Sequence, residues 1–150
     1  MAPLDEVRAK LERRKAATFA VAQQIGKLME TDAKQRASWE DRTGHARQGI
    51  QGGAVIRRNA SRADDGQAIV YLAHTMRYGT YLEIGTGLYG PKKRKIGPKN
   101  KKALRFPIGG GQYVIARSVK GMRPRPVIKP TAQRHIDTLR RAVREVWRDS

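Results

Sequence analysis

Along the first fifth of the chain, apolar positions recur at helical spacing. Leu4, Val7, Leu11, Thr18, Val21, Ile25 and Leu28 fall at alternating steps of three and four, with Arg14 in the one gap. Asp5 and Glu6 stand in the first turn, where the helix dipole favours carboxylates. Ala9, Ala16, Ala17, Ala20 and Ala22 add helix propensity. The pattern predicts a helix roughly 40 Å long at about 1.5 Å per residue. That length leaves two readings: a plain core helix, or one packed half on its own sheet and half on another subunit.

The spacing changes after residue 38. Residues 39–49 are polar apart from Trp39, and Asp41 with Thr43-Gly44 supplies turn chemistry. The run 50–58 reads as a glycine-broken strand. Asp65-Gly66 is a two-residue hairpin signal joining 54–59 to 67–73, and the β-branched and aromatic content of 67–73 fits a strand. Residues 74–83 could continue that strand, but a short helix is favoured. A second hairpin is expected from 103–108 and 112–119 around Gly109-Gly110-Gly111, with Phe106, Ile108, Tyr113 and Ile115 as packing residues. Pro107 places its strand at an edge. The prolines of 122–131 mark an extended segment. Beyond Pro130-Thr131, Ile136, Leu139, Val143 and Val146 or Trp147 form the stripe of a last helix.

The expected fold class is therefore α+β. A long N-terminal helix is followed by a small, mostly antiparallel sheet of two hairpins and a C-terminal helix. One domain, 1–150, would comprise a helical arm (1–38), a first hairpin and turn (39–86), a loop (87–103), a second hairpin and extended segment (104–130) and the last helix (131–150).

Charge changes the picture most. The 150 residues have 32 Lys or Arg against 13 Asp or Glu, a net +19. Such an excess repels itself unless a polyanion or an assembly screens it, and nucleic acid is the leading candidate. Between Glu83 and Asp137 there are fourteen basic residues and no acidic one. Seven of them crowd into Pro91–Lys102, six being lysine: Lys92, Lys93, Arg94, Lys95, Lys99, Lys101 and Lys102. With Arg105 they are the candidate nucleic-acid-binding residues. Lysine is a mobile point charge, whereas bidentate readout favours arginine. No aromatic lies inside the loop to stack on single strands. The composition suits sequence-independent, salt-sensitive contact with duplex phosphates, made by a hairpin-like arm reaching roughly 25 Å.

Other chemistry finds little support. Gly85-Thr86-Gly87-Leu88-Tyr89-Gly90 spells GxGxxG, but a dinucleotide site needs a strand before it, a helix after it and an acid about twenty residues on. Here Pro91 and the basic run follow. His45, His74 and His135 lack partners at metal-ligand spacing, and no serine has a nucleophile-elbow context. No cofactor, metal or catalytic residue is expected. The absence of cysteine excludes disulfides. The charged N-terminus does not read as a secretory signal, and no apolar run reaches transmembrane length.

Three segments together resemble a known family. Trp39 with Thr43-Gly44-His45-Ala46-Arg47, then Tyr78 to Glu83-Ile84-Gly85-Thr86, then Pro126 to Pro130-Thr131 are similar to the minor structural proteins of long-tailed bacteriophages. That family includes the neck or head–tail joining proteins and the tail-completion (terminator) proteins. The resemblance implies a non-enzymatic subunit of a homo-oligomeric ring, expected to be a hexamer, at the head–tail junction of the virion. It would assemble in the host cytoplasm, with head-completion and tail-tube proteins as neighbours, genomic double-stranded DNA in the lumen and no membrane contact. Trp39, Thr43, Gly44, Arg47, Tyr78, Glu83, Gly85, Thr86, Pro126 and Pro130 would serve folding or ring contact. The lysine-rich insertion departs from the family pattern, so its place facing the DNA channel is inferred from charge and reach. A ribosomal-type RNA-binding protein is the alternative from another class.

Overall fold

The computed structural model describes residues 3–40, 44–58 and 66–148. Its elements run α1 (Pro3–Arg36), α2 (His45–Gln48), β1 (Ile50–Arg58), β2 (Gly66–His74), α3 (Arg77–Ile84), β3 (Leu104–Gly109), β4 (Gln112–Ala116) and α4 (Ile128–Arg148). The fold is α+β, and each hairpin is its own two-stranded antiparallel sheet. The chain divides into two compact units: Met1–Thr75 with Val127–Ser150, and Met76–Pro126.

In the first unit, α1 lies against β1. Its buried residues are Ala22, Ile25, Gly26, Met29 and Ala33. This face differs from the expected stripe: only Ile25 is shared, while Leu4, Val7, Leu11 and Leu28 are exposed. The cause is a close backbone approach. A Cβ on Gly26 would overlap the main chain of Gly53, and one on Gly52 would overlap the Gly26 carbonyl. The glycine contact, set between the buried Ile25 and Met29, turns this face of the helix to the strand. The same approach explains why β1 runs unbroken through Gly52-Gly53, where a break was expected.

β1 turns its outer amides to the helix. Gly52 N–H donates to Glu30 Oε2 at 3.0 Å and Ala54 N–H to Gln23 Oε1 at 2.6 Å. An edge that would otherwise invite another strand is thereby satisfied. On its other edge β1 pairs with β2 in a register running from Ile50↔His74 to Arg58↔Gly66. Gly66 is thus already in the ladder, so the Asp65-Gly66 pair is not a two-residue turn. The connection 59–65 lies outside the described residues. Alternate residues Ile50, Gly52 and Ala54 are buried with β1's inner face, and fully burying a side chain such as Ile50 contributes about 2 kcal/mol.

α4 runs antiparallel along α1. Near its start, Arg134 Nη2 and His135 Nε2 each stand 3.1 Å from Asp32 Oδ2. Near its end, Trp147 Nε1 donates to Thr18 Oγ1 at 2.9 Å and the Arg14 guanidinium lies 5.7 Å from the Trp147 ring. The helix starts at Ile128, earlier than residue 131, because Pro130 sits in its first turn, where a missing N–H costs nothing. Thr131 is fully buried, whereas Ile136 of the expected stripe is exposed.

Candidate nucleic-acid interface

The second unit is built around two chain segments that cross with backbone against backbone. Thr86 N–H donates to Met122 O and Leu88 N–H to Lys120 O, both at 2.8 Å. Met122 N–H returns a bond to Thr86 Oγ1 at 2.9 Å. Further along, Ile96 and Val119 exchange two backbone bonds of 2.9 Å. The crossing requires glycine: Gly87 (φ 63°) and Gly121 (φ 91°) each lack room for a Cβ against the other strand. Gly85 (φ 75°) likewise has no room for a Cβ against the Met122 carbonyl, so two glycines of the GxGxxG run, Gly85 and Gly87, serve chain crossing. A helix, α3, precedes the run and a short 3-10 turn, Gly87–Tyr89, begins at its second glycine, so the strand-then-helix context of a dinucleotide site is not met.

The Ile96–Val119 bridge also corrects the expected 25 Å arm. It ties the middle of Pro91–Lys102 to the returning chain, so the segment folds into two short loops, 91–95 and 97–103. Lys92, Lys93, Arg94, Lys95, Lys99, Lys101 and Lys102 are all exposed on these loops, and Arg105 is exposed on β3. Lys93 holds φ 45°, a left-handed conformation uncommon outside glycine. Among the described residues, no ion pair joins any of the eight to a carboxylate. The unit as a whole has thirteen Lys or Arg against the single carboxylate Glu83, a net +12.

Folding adds cations that were not singled out from the sequence. Arg117, Lys120, Arg123 and Arg125 are exposed on the segment that returns past the loop. The acid-free run from Glu83 to Asp137 contained the signal, but their nearness to the lysines depends on the crossing. Aromatics join them as well. The Arg105 guanidinium lies 4.0 Å from the Tyr113 ring centroid and Arg123 5.3 Å from that of Tyr89. The loop itself holds no stacking ring, but its flanks hold two arginine–tyrosine pairs.

The second hairpin is not packed as expected. Its turn at Gly110-Gly111, with φ 58° and 75°, is the two-residue type with both residues left-handed. Phe106 is half-buried, yet Ile108, Tyr113 and Ile115 are exposed, Ile115 at 71 %. The ladder shifts register between Pro107 and Gly109.

The residues assigned to folding or ring contact separate between the units. In the first, Trp39 is buried with its ring 5.7 Å from that of His74, and Gly44 takes φ 76° before α2. Arg47 donates to the carbonyls of Lys34, Ala37 (3.3 Å) and Trp39 (3.5 Å), so it caps the end of α1. Pro130 sits in the first turn of α4, and Thr43 lies outside the described residues. In the second, Tyr78 is exposed and Glu83 half-buried on α3, Gly85 and Thr86 belong to the crossing, and Pro126 is exposed. Arg47, Gly44, Trp39, Gly85 and Thr86 thus all do structural work within one chain.

Among the described residues, no three His, Cys, Asp or Glu side chains converge as for a metal ion, and no helix is long and apolar enough to cross a membrane. No model of a known protein family matches the sequence, and no curated protein or solved structure shows significant similarity to it.

Proposed function

We propose that the chain is a non-enzymatic structural subunit of a bacteriophage head–tail junction, a neck or head–tail connector ring, whose positive surface faces double-stranded DNA in the channel. A tail-terminator ring is the nearest variant of this reading. The ring is expected to be a homo-hexamer placed between head-completion and tail-tube proteins of the virion. The observation behind the proposal is the net +12 of the second unit, with seven loop cations exposed and without carboxylate partners among the described residues. Support for the assembly comes from the three signature segments around Trp39, Tyr78–Thr86 and Pro126–Pro130.

Mobile lysines holding phosphates bind any sequence and let go readily, which suits DNA that must pass through. Fluorescence anisotropy on a labelled 30-bp duplex, titrated across salt, tests it. If all seven loop cations touch phosphates, the log–log salt slope has a contribution of about −6 from them. Changing Lys92, Lys93, Arg94, Lys95, Lys99, Lys101 and Lys102 to Ser should remove most of that slope. An unchanged slope refutes the DNA-facing loop. A strong preference for RNA over duplex DNA at equal salt would favour the ribosomal-type reading.

A further inference from the structure

Residues 106–116 carry no charge, although the chain on either side is strongly basic. Lys101, Lys102 and Arg105 precede the stretch, and Arg117 and Lys120 follow it. It forms most of the β3–β4 hairpin, a sheet of two strands closed by the Gly110-Gly111 turn. The register separates its faces. Leu104↔Ala116 and Phe106↔Val114 put four half-buried side chains on one face. Arg105↔Ile115 and Pro107↔Tyr113 put four exposed ones on the other, with Ile115 71 % and Tyr113 54 % exposed. The Arg105 guanidinium, 4.0 Å from the Tyr113 ring centroid, is held on that open face.

We propose that this hairpin enters the major groove of duplex DNA. Its uncharged tip and open face would meet the base edges, while Arg105, Arg117, Lys101 and Lys102 at its base would meet phosphates along the groove's rims. The proposal rests on the DNA-facing reading above and adds how the duplex is held.

Shape and charge both favour this occupant. The major groove, about 12 Å wide, admits a two-stranded ribbon, and the minor groove is only about 6 Å wide. Two strands about 4.8 Å apart, with their side chains, exceed the narrower one. β3 spans about 17 Å, more than the groove's depth of about 8.5 Å, so the tip reaches the floor while Arg105 stays near the rim. Phosphates alone give an uncharged tip no favourable contact. Pro107, Tyr113 and Ile115 lose their exposure to water only against a ligand with apolar surface inside its charged shell. Base edges and thymine methyls provide that surface. Glu83 is the unit's single carboxylate, and none lies in residues 84–126, so the hairpin and its surroundings attract a polyanion throughout.

The test uses the full chain and a labelled duplex in two forms with the same phosphates. One is plain; in the other the cytosines bear glucosylated hydroxymethyl groups, which fill the major groove. Wild type should bind the filled duplex about tenfold more weakly, because Tyr113 and Ile115 lose their seat. Tyr113→Ser with Ile115→Ser removes no charge and no buried side chain. That variant should bind the plain duplex about tenfold more weakly than wild type, with an unchanged salt slope, and should bind both duplexes alike. Equal wild-type affinity for the two duplexes overturns the proposal without any variant. So does a double variant that binds the plain duplex as tightly as wild type. If either occurs while the serine-substituted loop still loses its salt slope, the DNA-facing reading stands and only the hairpin's role falls. Absence of salt-dependent duplex binding by wild type refutes both. Tighter binding to vesicles of phosphatidylserine and phosphatidylcholine than to duplex, lost in the Tyr113→Ser, Ile115→Ser variant, would assign the hairpin to an acidic membrane surface and also overturns the proposal.

Discussion

Replacing Glu30 should show how α1 holds the first sheet. Its carboxylate accepts from Lys34 Nζ at 2.6 Å, from Lys27 Nζ at 2.9 Å and from Gly52 N–H at 3.0 Å. The hydrogen bond from Lys34, then that from the Gly52 amide, then that from Lys27, bring its pKa from the ordinary 4.5 down to about 2. Taken whole, that shift corresponds to about 3 kcal/mol of stability at neutral pH. Water at the two lysine ends screens the ion pairs, which reduces the ionic part to about 1–2 kcal/mol. Glu30→Gln keeps an acceptor for Gly52 and should lose about that ionic part. Glu30→Ala also strands a buried amide, adding about 1–3 kcal/mol.

The sign follows from the lowered pKa. Glu30 binds a proton more readily unfolded than folded, so its stabilisation is complete above about pH 4.5 and declines as the pH falls toward 2. Urea unfolding of wild type and Glu30→Gln at pH 7 and again near pH 2.5 measures this directly. The gap between them should be present at pH 7 and largely gone at the lower value. An equal gap at both values would show that the carboxylate's charge does not stabilise the fold. Asp32 has a pKa of about 2 as well: burial works to raise it, and hydrogen bonds from Arg36, His135 and Arg134 outweigh that. Wild-type acid lability therefore includes the α1–α4 contact.

Gly26→Ala should destabilise the first unit by about 3 kcal/mol or more, since the new methyl meets backbone and neither segment can turn aside; a melting temperature within a degree or two of wild type would contradict the close approach. Arg47→Met should cost about 2 kcal/mol by leaving the last carbonyls of α1 without their charged donor. Arg47→Lys should recover only part of this in urea titration, because one ammonium cannot span the carbonyls of Lys34, Ala37 and Trp39 as a guanidinium does.

Much of the architecture is legible locally. Helical spacing marks α1 and α4, the triple glycine marks the second turn, and Pro107 marks an edge strand. The first hairpin also forms where its β-branched residues place it, though its pairing extends through Gly66. The expected packing faces fare worse. Leu4, Val7, Leu11, Ile115 and Ile136 are hydrophobic by composition and exposed by structure. Periodicity records which residues share a face, and nothing in it states whether a neighbour covers that face within the same chain.

The sequence by itself determined the element types, their order and the +19 charge with its acid-free stretch, because backbone propensity and ionisation are properties of single residues and near neighbours. Tertiary structure alone decided where small residues matter. Gly26 meets Gly52-Gly53 across 26 positions, and Gly87 meets Gly121 across 34. A glycine has no side chain to announce its partner, so a contact made by absence is visible only once both backbones are in place. That second crossing also turns the lysine run from a free arm into a pinned loop beside Arg117 and Lys120, gathering positive charge from stretches that a linear reading keeps apart.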